Sequence, residues 1–171
     1  MVEDQSVNGG LDGVGTRASA AREYFDNVRS AQRAIDRRLA ILDAMRSRED
    51  VRAQRYDRIG SATHDNHDAM TATDARMDAE AAARDEVAEL SAIVEDGRTV
   101  CRGIRAANPT NRLWGDALDA RYCSDMPWRQ VASMLGVSER LAQDAAAQAL
   151  EWVDSVGIAA AHDGMGQATL F

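Results

Sequence analysis

The chain has 171 residues, a net charge of −8, 5% aromatic residues, two prolines and two cysteines. That length allows one or two small domains, and so few aromatics favour a small helical core over a large globular one. The acidic balance argues against a nonspecific nucleic-acid coat or an anionic membrane surface as partner.

All twenty basic residues are arginine. Residues 1–60 carry eleven Arg against ten acids, residues 61–111 five against ten, and residues 112–171 four against eight. The N-terminal third is therefore the least acidic. Cys101 and Cys123 stand apart with no metal-ligand spacing. There is no leader pattern and no apolar run approaching ~20 residues. A reduced, cytoplasmic protein without membrane contact is the expectation.

Residues 1–17 are Gly-rich and polar and are expected to be disordered. From about Ala18 to Tyr56 nothing breaks a helix. Phe25, Val28, Ile35, Leu39 and Leu42 follow alternating spacings of three and four, interrupted at Gln32. This predicts a long amphipathic helix whose narrow stripe pairs with another helix. A polar link (Arg58–Met70) leads to a second helical stretch from about Thr71 to Ala107. There Val87, Leu90, Val94, Cys101 and Ile104 keep the rhythm, with Gly97 at one seam position. Asn108-Pro109 ends it, because the residue before proline disfavours helical backbone. Residues 18–108 thus read as an antiparallel, coiled-coil-like helical hairpin, with a homodimer through it as a candidate assembly; a plain spacer is the alternative.

Residues 110–157 read as a separate three-helix unit. A helix from about Asn111 to Cys123 places Leu113, Trp114, Ala117, Leu118 and Tyr122 on one face. Pro127 suits the first turn of the next helix, where Trp128, Val131, Ala132 and Leu135 recur at helical spacing. Gly136 supplies a left-handed stop, Val137 plugs the turn and Ser138 caps the third helix, which runs to about Val156 before Gly157. Core packing is the expected role of Trp114, Tyr122, Trp128 and Trp152. Residues 158–171 read as a small, flexible tail. The fold class expected is all-α: a helical hairpin followed by a helix-turn-helix domain.

The stretch "LDARYCSDMPWRQVASMLGVSERLAQDAAAQAL" resembles region 4 of the sigma-70 family, and more closely the phage and prophage late-transcription regulators of the RinA/ArpU type. The residues that carry the resemblance are Arg121-Tyr122, Trp128, Val131-Ala132, Leu135-Gly136, Ser138 and Ala149-Leu150. With a helical hairpin ahead of the motif, it covers roughly residues 20–156. The resemblance implies promoter-proximal binding of double-stranded DNA, together with host RNA polymerase.

At 100° per residue, Leu141, Ala142, Ala145, Ala149, Trp152 and Val153 group on the packing face of the third helix. Arg140, Gln143, Asp144, Ala147, Gln148 and Glu151 face away. Near the end that enters the major groove in this motif, Arg140, Gln143, Asp144 and Ala147 are the candidate base contacts, since Arg, Gln, Asp and Ala match guanine, adenine, cytosine and the thymine methyl. Arg121 and Arg129 are candidate phosphate contacts. Family members usually carry more basic residues on this helix, and phosphate neutralisation sets affinity. Three sources of help stay open: dimerisation or polymerase, the Arg-rich first helix (Arg29, Arg33, Arg37 and Arg38, then Arg46, Arg48, Arg52 and Arg55), or use of the fold for protein contacts alone.

"HDNHD" (His64–Asp68) sets two His at i, i+3, but a metal centre needs three or four converging ligands. A solvated loop is expected there, and no cofactor is implied. No catalytic triad, phosphate loop or nucleophile elbow is present, so the expectation is a binding protein and not an enzyme. The tail "QATLF" resembles the Gln-x-x-Leu-Phe peptide that docks on the DNA sliding clamp, with Gln167, Leu170 and Phe171 as its contacts. The clamp is thus a further candidate partner. The rival to the DNA-binding reading is an interaction protein that docks on RNA polymerase or the clamp without reading DNA.

Overall fold

The computed structural model describes the backbone of residues 19–56 and 66–166, and the side chains of 19–47 and 74–166. The chain is all-helical, with no strand among these residues. Its helices are α1 (Ala20–Tyr56), α2 (Asn66–Ala107), α3 (Leu113–Leu118), α4 (Trp128–Leu135), α5 (Glu139–Val156) and α6 (Ile158–His162). A π-helical turn, Asp119–Cys123, extends α3. No described helix is long and apolar enough to cross a membrane.

Helix α1 is alanine- and arginine-rich and free of Gly and Pro, so nothing interrupts its 37 residues. Ser19 Oγ accepts a hydrogen bond from Arg22 N at 3.0 Å, which caps the helix just inside the expected start. A second free donor of the first turn, Ala21 N, bonds Asp154 Oδ1 of α5 at 2.9 Å. Helix α2 starts at Asn66, ahead of the expected Thr71. The two run antiparallel: Tyr24 bonds Asp96 near one end, and Arg38 pairs with Glu86 at 2.7 Å farther along.

The hairpin seam follows one heptad line. Ala21, Val28, Ile35 and Leu42 are buried at intervals of seven; Phe25 and Ala31, off that line, are buried as well. Leu39, expected in the seam, is 45% exposed. A straight helix of 3.6 residues per turn drifts off a 3.5 repeat, and past Ile35, Leu42 is the one buried apolar side chain among the described residues of α1.

The expected division between residues 18–108 and 110–157 is not a division of the core. One buried cluster joins Phe25 and Val28 of α1, Val100 and Ile104 of α2, Leu118 of α3, Tyr122 of the π turn, Ala149 and Val153 of α5, and Ala161 of α6. Trp114, Trp128 and Trp152 pack against it. Arg105 of α2 holds α3 through Asp116 and Asp119 at 3.0 and 3.5 Å.

Two local expectations are corrected. The helix to Cys123 is not a plain α-helix: Ser124 N reaches back to Asp119 O, five residues away, at 3.1 Å. This wider turn puts Tyr122 against Phe25, with ring centroids 5.6 Å apart. Nor does the tail begin at residue 158, because α6 returns to α2. Gly103 makes that possible: a Cβ there would lie 1.9 Å from Ala161 O.

The π turn also brings Cys123 beside Cys101, both fully buried, although nothing in their sequence spacing links them. The Cys123 thiol and burial push the Cys101 thiol well above its usual range. Only thiolates attack disulfide reagents efficiently. Cys101 is disfavoured as a thiolate and both side chains are shut off from solvent, so neither is expected to label with an aromatic disulfide reagent in the native protein, whereas both should label promptly in denaturant; stoichiometric native labelling would show that this pair is accessible.

Candidate nucleic-acid interface

Helices α4 and α5 form the helix-turn-helix. Pro127 precedes α4 in extended conformation, one place earlier than its expected position inside the first turn. Gly136 ends α4 at φ 67°, ψ 30°, the left-handed region where a Cβ is costly. Val137 N then bonds Ala132 O at 3.1 Å. Ser138 Oγ accepts from Leu141 N at 3.2 Å and caps α5. Val131, Ala132 and Ala142 are buried beneath the turn, with Trp128, Leu135 and Val137 around them.

The outward face of α5 carries Arg140, Gln143, Asp144 and Ala147 together, all exposed. The Arg140 side chain is 91% exposed. These polar groups partner one another: Arg140 lies 3.8 Å from Asp144, and Gln143 Nε2 donates to Glu139 Oε1 at 3.2 Å. Exposed pairs of this kind contribute little to stability, so they rearrange readily for a ligand. Arg129 is exposed at the start of α4.

Arg121 is placed differently from the solvent-facing position a simple phosphate contact would take. Its Nη1 donates to Met126 O at 2.9 Å, and its guanidinium lies 4.9 Å from the Trp128 ring centre, a cation–π distance. Burial, and then the neighbouring Arg29 charge, lower its pKa. It fastens the link before α4 as well as facing a groove.

The packing face of α5 also departs from expectation. Leu141, expected inside, is 48% exposed, while Ala146 and Leu150 are buried. α1 packs along α5 on the side of Ala146 and Leu150, which accounts for their burial. Between the two helices lies a groove of about 290 Å³. Arg22, Asp26 and Arg29 form its α1 wall. Gln143, Ala146, Ala147 and Leu150 form the α5 wall, with Arg121, Tyr122 and Trp128 between. Two of the expected base contacts, Gln143 and Ala147, thus share this groove with arginines of α1.

The link before α4 is stapled to α1 by Asp125, a non-glycine residue at φ 47°. Asp125 Oδ1 accepts from Arg29 Nε at 2.5 Å, and Oδ2 from Arg33 Nε at 2.8 Å. Burial pushes its carboxyl up, but the hydrogen bonds from Arg33 and Arg29 together outweigh this and hold it below the usual carboxylate range. A depressed pKa stabilises the fold above the unfolded value and is lost as pH falls through the folded one. Asp125→Asn keeps tolerance of positive φ and removes the charge. It is expected to cost about 1–2 kcal/mol near neutrality, with the gap to wild type closing below roughly pH 4; a constant gap across an acid titration of denaturant midpoints would count against the staple.

Of the other arginines of α1, Arg37 and Arg46 are exposed and Arg38 is committed to Glu86. The side chains of Arg48, Arg52 and Arg55 lie outside the described residues, as do Gln167, Leu170 and Phe171 and the side chains of "HDNHD". No cluster of three or more metal-ligating groups occurs among the described residues. Arg22, Asp26 and Asp125 had no sequence signal beyond their charge, since the contact between α1 and the helix-turn-helix is tertiary. Compared with protein-family models, curated proteins and solved structures, the chain matches none of them.

Proposed function

We propose that this chain is a transcription regulator of phage or prophage type, binding promoter DNA through α4 and α5 together with host RNA polymerase. The observation that carries the reading is the geometry of the turn. Gly136 ends α4 and the Ser138 cap starts α5, one face of α5 is buried in the shared core, and Arg140, Gln143, Asp144 and Ala147 stand on the open face. Those residue types match base edges of the major groove. The sigma-region-4 resemblance of residues 118–150 supports the same role, and a cytoplasmic location follows from it. Exposed Leu39, Ile41 and Met45 on the α1 arm support a homodimer through the hairpin.

A second reading has its own observation. Met134 and Leu141, on either side of the turn, are 55% and 48% exposed, which suits a protein contact. Under it the chain docks on RNA polymerase or the sliding clamp and reads no DNA. The separating experiment selects bound sequences from a random duplex pool and footprints the winner with and without RNA polymerase. A protected, enriched sequence supports the first reading. No enrichment in either condition, with polymerase retained on the immobilised protein, replaces it by the second.

A further inference from the structure

Helix α5 carries one arginine, Arg140, against Glu139, Asp144, Glu151 and Asp154, so it supplies almost no phosphate neutralisation of its own. The chain as a whole, at −8, supplies no general attraction either. If α5 meets DNA, positive charge has to come from a neighbouring element at the right place.

The structure puts such charge beside it. Arg22 and Arg29 of α1 face Gln143 and Ala147 of α5 across the groove, with Arg121 between them. Arg33 follows one turn after Arg29 and shares Asp125 with it. Four arginines stand here against two aspartates, Asp26 and Asp125. Arg22 has no carboxylate partner among the described residues, and Arg33 keeps 46% of its side chain exposed. Arg29 and Arg121 are already fixed by Asp125 and by Met126 O, so little side-chain freedom is lost when an anion arrives. The cationic surface is continuous with the face that carries the base-contact candidates.

We infer that this groove seats a backbone phosphate of the DNA strand flanking the bases read by α5, with Arg22 as its free cationic rim and Arg33, held on Asp125 one turn beyond the lining, extending the positive surface. The inference rests on the helix-turn-helix reading and supplies the backbone grip that α5 lacks. Each arginine that neutralises a phosphate releases condensed counterions, so its contribution appears in the salt dependence of binding.

The test measures binding of the full chain to a fluorescent duplex of random sequence by anisotropy across a salt series. Wild type is compared with Arg22→Gln, Arg33→Gln and Arg84→Gln. Arg84, on α2 and paired with Glu80 at 2.7 Å, is the matched loss of one charge away from the groove. The slope of log affinity against log salt should become shallower by about one for Arg22→Gln and again for Arg33→Gln, with Arg84→Gln like wild type. Because Arg22 and Arg33 are separate partly exposed positions, one folded variant of the two suffices. Equal slopes in all four proteins overturn the groove as a phosphate seat while leaving DNA binding by α5 intact. A wild-type chain that binds neither the random nor the selected duplex at any salt, with or without polymerase, overturns both.

Discussion

Phe25→Ala is expected to lower stability by about 3–5 kcal/mol, the range for deleting a large aromatic from a closed core. Phe25 is fully buried and packs edge-on to Tyr24 at 5.2 Å and against Tyr122 at 5.6 Å. It belongs to the hairpin in sequence but to the helix-turn-helix in contact, so its removal leaves a void that neither part can close alone. For a chain of this size the loss corresponds to a fall in melting midpoint of roughly 6–20 °C. The distribution of probes makes the experiment sharper. Trp114, Trp128 and Trp152 all lie after the hairpin, whereas α1 and α2 dominate the helical circular dichroism. With one shared core, tryptophan fluorescence and circular dichroism should melt together in wild type and shift together in the variant. If the fluorescence transition holds its midpoint while the dichroism falls, the two parts fold independently and the shared core is refuted.

The parts of this fold that were legible in the sequence are those decided within a few residues. Gly136 and Ser138 mark the turn because left-handed backbone and an N-cap are local chemistry, and Asn108-Pro109 stops α2 for the same kind of reason. Periodicity found the two long helices, but it misplaced Leu39, since a seam is set by where the partner helix lies as well as by spacing. The same limit explains Leu141 and Leu150. Viewed alone, α5 has one packing face toward α3 and α4; α1 beside it adds Ala146 and Leu150 to the buried arc, while Leu141, in the first turn, stays exposed. The π turn had no local signature either. The wider turn goes with Tyr122 meeting Phe25 and Cys123 meeting Cys101, contacts made with α1 and α2.

The candidate site divides along the same line. Arg140, Gln143, Asp144 and Ala147 were recognisable as one face because a helix repeats every 3.6 residues. The groove was not, because Arg22 and Gln143 are brought together only by the docking of α1. That docking changes what the acidic helix means. Read by itself, α5 lacks phosphate contacts. Under the DNA-reading proposal, α5 placed against α1 supplies base-matching groups while the neighbouring helix supplies the positive charge, so specificity and electrostatic grip would sit on different elements. Asp125 then has a second consequence: by holding Arg29 and Arg33 against the link before α4, it fixes the angle between the two elements.

This separation sets the outcome expected for Arg140→Ala combined with Gln143→Ala. Both side chains are exposed and make only surface pairs, so the unfolding free energy should stay within about 0.5 kcal/mol of wild type. A bidentate contact to the right base carries about 1–3 kcal/mol of discrimination. Losing two should therefore cut the preference for the selected sequence over random duplex by roughly 30-fold to 10⁴-fold. Binding to random duplex should fall far less, because the groove arginines remain. Leu141→Ala with Met134→Ala supplies the contrast: under the DNA-reading proposal it leaves the footprint in place, and under the docking proposal it releases polymerase. Should the Arg140/Gln143 double variant protect the selected sequence as well as wild type does, the assignment of α5 as the base-reading helix is wrong, and the exposed apolar pair at the turn becomes the better account of what this surface contacts.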